Sequence, residues 1–299
     1  MKIDPYTRHY GFWSKQDQKR LIKSVVAVGG VGGVGAAQAL MLAKSGVGCI
    51  RIADRDQYQQ ENVVEQAFAT WDTIGRPKVQ VAAKEMKRHS QHLSVQTIQG
   101  DLANADAANE LVRGADILFS GVDNPEARIA LGRAALKAKI PFVVGANVGW
   151  TVFATIYQPD LKGYAAAFES IENLSRDELG FPIMEDPATR ELVYLQWRVF
   201  TVAFSGFRDA ELRRFIRGDM SHFAYTAGPA FTAASITVME GLKSLLGAGV
   251  SVVYPNVRIL DLAAAQELSS AEVRSRYNAV ARAWNSGPKA ILEAIHHAR

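Results

Sequence analysis

Residues 28–35 read Val-Gly-Gly-Val-Gly-Gly-Val-Gly, and no other stretch of the chain restricts its fold so tightly. Within it lies Gly30-x-Gly32-x-x-Gly35. The β-branched run Val25 to Val28 before it reads as a buried strand. Gly35 to Ser45 after it reads as a helix, with Ala39, Leu42 and Ala43 on its apolar side. Glycine here lets the chain turn tightly, lets a phosphate approach the backbone, and lets the helix pack closely on the sheet. The helix start offers free N–H groups and a positive partial charge to an anion. A second strand, Cys49 to Ala53, ends at Asp54, 19 residues after Gly35. A carboxylate there can accept hydrogen bonds from ribose hydroxyls. Gly30, Gly32, Gly33, Gly35 and Asp54 are thus candidate nucleotide contacts, and the loop by itself admits NAD or ATP.

Strand and helix signals keep alternating through the first half. Helices are expected over Val79 to His89, Asn104 to Arg113 and Glu126 to Ala138. Strands are expected over Ser94 to Ile98, Asp116 to Ser120, Pro141 to Ala146 and Val152 to Tyr157. Such spacing implies an α/β fold, a doubly wound and mainly parallel sheet of Rossmann-like kind. The second half is less regular. Gly163 to Arg190 reads as loops and short helices. Leu192 to Phe204, Ala210 to Arg217 and Pro229 to Leu246 read as helices, Val250 to Leu260 as a strand pair around Pro255. Ser269 and Glu272 form a capping-box pattern that starts a last helix. No linker divides the chain. One domain is expected: an N-terminal arm and helix over 1–24, a nucleotide-binding half over 25–160, and an elaborated half over 161–299 for substrate and dimerisation.

The net charge of +4 is small for 299 residues. Basic side chains share helical stretches with acids, as in Lys84, Glu85, Lys87 and Arg88, which argues against a nucleic-acid surface. The single cysteine, Cys49, excludes an internal disulfide and a cysteine-rich zinc site. It reads as a small buried hydrophobe inside the second strand. The first residues show no secretory pattern, and the apolar stretch Ala227 to Gly247 is interrupted by Pro229, Glu240 and Lys243. A cytoplasmic protein without a membrane span is expected.

Three further clusters are more specific than the glycine loop. Asp54-Arg55-Asp56, then Glu61-Asn62-Val63-Val64-Glu65-Gln66, resembles the Asp-x-Asp and Asn-x-x-Arg-Gln stretch of the ThiF/MoeB/HesA family. Ile74-Gly75-Arg76-Pro77-Lys78 is similar to that family's Ile-Gly-x-x-Lys turn, and Asp123-Asn124 with Arg128 to its Asp-Asn-x-x-x-Arg motif. The segment from Arg8 to Leu21, with Trp13 and Gln18, looks like the family's leading helix. The resemblance covers residues 8 to about 160 well and continues weakly over Gly228 to Gly247 and Tyr254 to Asp261. It implies ATP with Mg²⁺, adenylation of a carboxylate, and a homodimer. The implied substrate is a small acid or the C-terminus of a small carrier protein or peptide. It also implies roles. Lys78 reaches the phosphates, and Asp123 holds the metal. Asp56, Asn62, Gln66 and Asn124 contact nucleotide or substrate. Arg8 reaches into the partner subunit's site.

Blander roles remain open. Lys78 can be a surface lysine, Asp123 a helix cap, Asn62 a turn residue and Arg8 an exposed arginine, while Arg128 reads as structural. Two departures separate the chain from the family pattern. Glu65 stands where the family has arginine, a charge reversal beside an anionic ligand. Cysteine is absent from the second half, so no internal thioester and no CxxC zinc site can form. Three readings follow: a carboxylate-adenylating enzyme, a non-catalytic nucleotide-binding subunit, and an NAD-dependent oxidoreductase.

Overall fold

The computed structural model describes residues 4–159, 163–169, 171–219 and 225–298. The strands β1 (Val25–Gly29), β2 (Cys49–Ala53), β3 (Ser94–Ile98), β4 (Ile117–Ser120) and β5 (Phe142–Val148) pair in parallel. Antiparallel strands β6 (Thr151–Tyr157), β7 (Arg258–Asp261) and β8 (Gln266–Glu267) extend the sheet. The eight strands lie in the order β3-β2-β1-β4-β5-β6-β7-β8. The chain therefore steps outward one way from β1 to β3, then returns to place β4 on the other side of β1. A crevice opens at such a reversal, at the carboxyl ends of the strands.

Ten α-helices are described: α1 (Lys15–Lys23), α2 (Gly33–Ser45), α3 (Lys78–His89), α4 (Ala105–Val112), α5 (Pro125–Ala138), α6 (Pro187–Phe204), α7 (Asp209–Arg217), α8 (Ala227–Leu246), α9 (Ser270–Ala283) and α10 (Pro288–Ala298). Period-two alternation sends the strand side chains to two cores. Val26, Val28, Ile50, Ile52 and Phe119 meet Ala36, Ala39 and Leu42 of α2, Val79 and Ala82 of α3, and Val238 and Leu242 of α8. Ala27, Leu118 and Phe142 meet Leu111 of α4 and Ile129 and Leu131 of α5 on the other face. A third core joins α6, α7, α9 and α10 through Val202, Leu212, Val280 and Leu292, with Ile259 of β7.

Helix α8 is the element that ties the late half of the chain to the sheet. Gln38 of α2 donates to the hydroxyl of Thr237 at 2.9 Å, and both side chains are fully buried. Gly241 lies flat on the Phe119 ring, in space that a Cβ would take. The buried Glu240 accepts from Lys243 Nζ at 2.8 Å and from the Val252 N–H at 2.9 Å. A carboxylate in an apolar helix is thereby satisfied, and among the described residues no helix is long and apolar enough to cross a membrane.

Two expectations from sequence are corrected. Val250 to Leu260 does not form a strand pair. Only Arg258–Asp261 is a strand, while Val253 makes a lone bridge to Ile156. Pro255 has no N–H to give to a ladder, so pairing stops on either side of it. The neighbours of β7 in the sheet are β6 and the unforeseen β8. Cys49 is only partly buried, because it is the first residue of β2, at the strand end away from the glycine turn. Strand β6 runs antiparallel because only Gly149 and Trp150 separate it from β5, too few residues for a crossover. Helix α10 was not foreseen. Within the half expected over 161–299 for substrate and dimerisation, residues 161–162, 170, 220–224 and 299 lie outside the described residues.

Gly241→Ala should force the Phe119 ring or α8 to shift, at a cost of about 1–3 kcal/mol. Thermal denaturation would show it as a lowered midpoint. An unchanged midpoint would mean that α8 is not packed on the sheet as described.

Candidate functional site

The crevice is built first from glycine backbone. Gly30 adopts φ +83°, a left-handed conformation that side chains disfavour, and its N–H donates to Ala53 O at 2.8 Å. A Cβ on Gly35 would fall on the Gly30 carbonyl, and one on Gly121 would lie 2.7 Å from that same oxygen. Three bare backbones therefore touch, and they join the β1–α2 turn to the β4–α5 loop. Helix α2 starts at Gly33 with Gly32 as its N-cap and no side-chain cap. Its first amides point out of the helix without intrahelical acceptors. A Cβ on Gly32 would approach nothing closer than Gln66 Nε2, at 3.8 Å.

Asp54 follows β2 and is nearly buried. Its Oδ2 accepts the Val31 N–H at 2.8 Å, and its Oδ1 accepts the Asp56 N–H at 2.9 Å. The acid thus holds the glycine turn in shape. Burial pushes its carboxyl above the usual carboxylate range, against the pull of the two amides and of Lys78. Lys78 is the first residue of α3 and is buried along its length. Its ammonium reaches Asp56 Oδ2 at 3.2 Å, and its charge also acts on Asp54 and Glu65.

The β4–α5 loop separates two roles that sequence left merged. The side-chain oxygen of Asn124 caps α5, accepting from the Glu126 N–H at 2.7 Å and the Ala127 N–H at 3.2 Å. Asp123 is therefore not the cap. It stands exposed beyond the end of β4, and its charge acts on Glu65, Tyr194 and Tyr225. Arg128 donates to Val122 O at 2.7 Å and so holds the loop that carries Asp123.

Glu65 points into the crevice. It closes the 3₁₀ turn Gln60–Val64, and its Oε2 lies 2.6 Å from where a Cβ on Gly33 would be. Its Oε1 accepts from Gln66 Nε2 at 2.7 Å and from Asn62 Nδ2 at 3.4 Å. The Gln66 Oε1 is buried without a hydrogen-bond partner among the described residues. Neither nearby arginine answers the acid: Arg55 pairs with Asp101 at 2.6 Å, and Arg76 is exposed on the turn before α3.

The ThiF family model matches residues 6–280. The chain belongs to the ThiF family. It is similar to the sulfur carrier protein ThiS adenylyltransferase of Bacillus subtilis, at 37% identity over 134 residues, which are 44% of this chain and 40% of that protein. It also resembles the SAMP-activating enzyme E1 of Haloferax volcanii, at 32% identity over 171 residues, 56% of this chain and 62% of that one. The matches thus span less than two thirds of either relative. Among solved structures, E. coli MccB with ATP superposes with a TM-score of 0.66 and 18% identity, covering 90% of this chain and 71% of that one. PaaA does so with a TM-score of 0.63 and 22% identity, covering 85% and 74%. Those two likenesses establish a shared fold.

Within this ThiF-family chain, the glycine turn, Asp54, Asp56, Asn62, Gln66, Lys78, Asp123 and Asn124 all flank one crevice. Arg8 does not. It is exposed on the turn Thr7–His9, which is tied to α1 through the bonds of His9 and Trp13 to Gln18. Tyr6 beside it packs at Gly46, the carboxyl end of α2 and so the far end from the crevice. Sequence reasoning missed Tyr225 and Tyr194. Tyr225 is partly open to solvent, and its phenol lies within reach of the charges of Asp123, Arg128 and Glu65. Burial and then Glu126 raise Tyr194, opposed by Arg190. No motif marks either tyrosine, because tertiary folding alone brings α6 and the start of α8 to the crevice.

The two acids should separate cleanly by mutation. Asp54→Ala leaves the Val31 and Asp56 amides without their acceptor and should cost about 1–3 kcal/mol. Asp123→Ala should stay within about 0.5 kcal/mol of wild type. Urea denaturation of both variants checks this, and the reverse order would show that the loop roles are misassigned.

Proposed function

We propose that this ThiF-family chain is an ATP-dependent enzyme that adenylates a carboxylate. One observation carries the reading. An uncapped helix start, a buried lysine and a carboxylate released from capping duty converge on the crevice where the strand order reverses. Among the described residues, no three His, Cys, Asp or Glu side chains cluster as a metal site. Mg²⁺ suits such a place, since it is commonly held by one or two carboxylates together with substrate phosphates and water. Asp123 would hold it, and when bound it would neutralise charge on the departing pyrophosphate.

The chain's own groups then divide the work. The first amides of α2 and the Lys78 ammonium favour the negative phosphates. Each Asp54 oxygen keeps acceptor capacity beyond its one amide, so ribose hydroxyls can still donate to it. Asn62 and Gln66 offer amide N–H groups without adding charge. A substrate carboxylate oxygen bonds to the α-phosphorus as the bond from that phosphorus to the bridging oxygen breaks. Acyl-AMP and pyrophosphate result. No cysteine follows residue 49, so the acyl group passes to an external nucleophile or leaves as the adenylate.

Relatives' names support the substrate class. They include an adenylyltransferase for the sulfur carrier protein ThiS and a SAMP-activating enzyme. The carboxylate is accordingly a small acid or the end of a small carrier protein or peptide, handled by a cytoplasmic homodimer in which Arg8 serves the partner's crevice. Glu65 favours a second reading, a nucleotide-binding subunit without turnover, because it sets an anion beside the phosphate ground.

Carboxylate-dependent exchange of labelled pyrophosphate into ATP decides between them. Exchange is expected with wild type, and Asp123→Ala and Lys78→Ala should each lower it ~100-fold. ATP binding without exchange across a panel of acids and carrier peptides would favour the silent subunit.

A further inference from the structure

We infer that Glu65 is a carboxylate gate, occupying ground beside the amino end of α2 that the triphosphate needs and leaving it only when nucleotide enters. The inference deepens the proposed nucleotide chemistry and rests on it. Its basis is position. The Glu65 Oε2 sits against Gly33 in the first turn of α2, with Ala230 of α8 also packed against Gly33. Two neutral donors beside the start of α2, Gln66 Nε2 and Asn62 Nδ2, are already given to this carboxylate. The acid thus stands in for the anion that a helix start attracts.

Two anions cannot share that place without strong repulsion. The groups that act on Glu65 do not remove the conflict. Lys78 from α3 favours its charge, but that ammonium also serves Asp56 and Asp54. Asp123 from the β4–α5 loop opposes its charge, and the phenols of Tyr58 and Tyr225 feel it from two further sides. Burial, outweighing the two amide donors, holds the Glu65 carboxyl above the ordinary glutamate range. It therefore gains its proton at a higher pH than an exposed glutamate does, and the gate eases as pH falls.

The proposed opening is a side-chain rotation. The main chain of Glu65 stays anchored by its N–H to Asn62 O at 3.2 Å, while the side chain turns away. The Gln66 and Asn62 amides are then released together, toward the incoming phosphates.

The test is calorimetric binding of ATP, inorganic triphosphate and adenosine to the full chain as wild type, Glu65→Gln and Glu65→Ala. Melting curves check the folding of each, so that either variant alone suffices. Both variants should bind ATP and triphosphate on the order of tenfold more tightly than wild type. Adenosine affinity should not move. The ATP advantage of Glu65→Gln should shrink as pH is lowered, because wild type then loses the charge that the variant lacks. If wild type binds ATP and the variants bind it equally or more weakly, Glu65 is a ligand-holding group and the gate is wrong, with adenylation untouched. Tighter adenosine binding would reveal general repacking and also sink it. If no form binds ATP, the adenylation reading falls and takes the gate with it.

Discussion

Everything in the crevice depends on a contact between three bare backbones, those of Gly30, Gly35 and Gly121. They belong to two connections far apart in sequence, one leaving β1 and the other leaving β4. A methyl group at Gly35 or Gly121 would hold those connections apart. The contact therefore sets where the start of α2 lies relative to Asp123, and with it the width of any anion pocket between them. Asp54 completes the arrangement by tying the Val31 amide down from the neighbouring strand.

The later half of the chain supports this from behind. Helix α8 comes from residues 227–246, yet it packs beside α2 and over Phe119. A buried amide–hydroxyl pair, Gln38 with Thr237, fixes its register. The hairpin turn after β5 then redirects the sheet into antiparallel growth, and β7 carries the separate helical core of α6, α7, α9 and α10. Helix α6 runs from that core toward the crevice and supplies Tyr194, whose phenol feels the charge of Asp123. The glycine turn, Lys78 and Asp123 thus come from the parallel half, while Tyr194 and Tyr225 come from the half whose sequence is irregular.

The hydrogen-bonding groups of the crevice are largely paired with one another, though its carboxylates outnumber the Lys78 ammonium. Lys78 spends its ammonium on Asp56, and Glu65 draws its donors from Asn62 and Gln66. A ligand entering here exchanges partners with groups that are already paired. That favours an anion able to take Lys78 and the helix start at once, as a chain of phosphates can.

The strands β1 to β4 and the helices between them were legible in the sequence almost to the residue, because burial on both faces forces apolar runs in β1 and β4, the exposed edge strand β3 alternates, and helical periodicity is strong. The capping box of Ser269 and Glu272 marked the start of α9 for a similar local reason. Val250 to Leu260 misled because an apolar β-branched run looks like strands whether or not Pro255 lets it pair. Among site residues, the glycine turn, Asp54, Lys78 and Asp123 carried local signals: fixed spacing, a strand end, a turn. By itself the sequence determined the doubly wound half, the turn at the start of α2 and the charge reversal at position 65. Only the tertiary structure decided that Glu65 faces Gly33, and that Tyr194 and Tyr225 border the crevice. Side-chain direction and contacts between distant segments follow from how the elements pack, and no local pattern of residues encodes them.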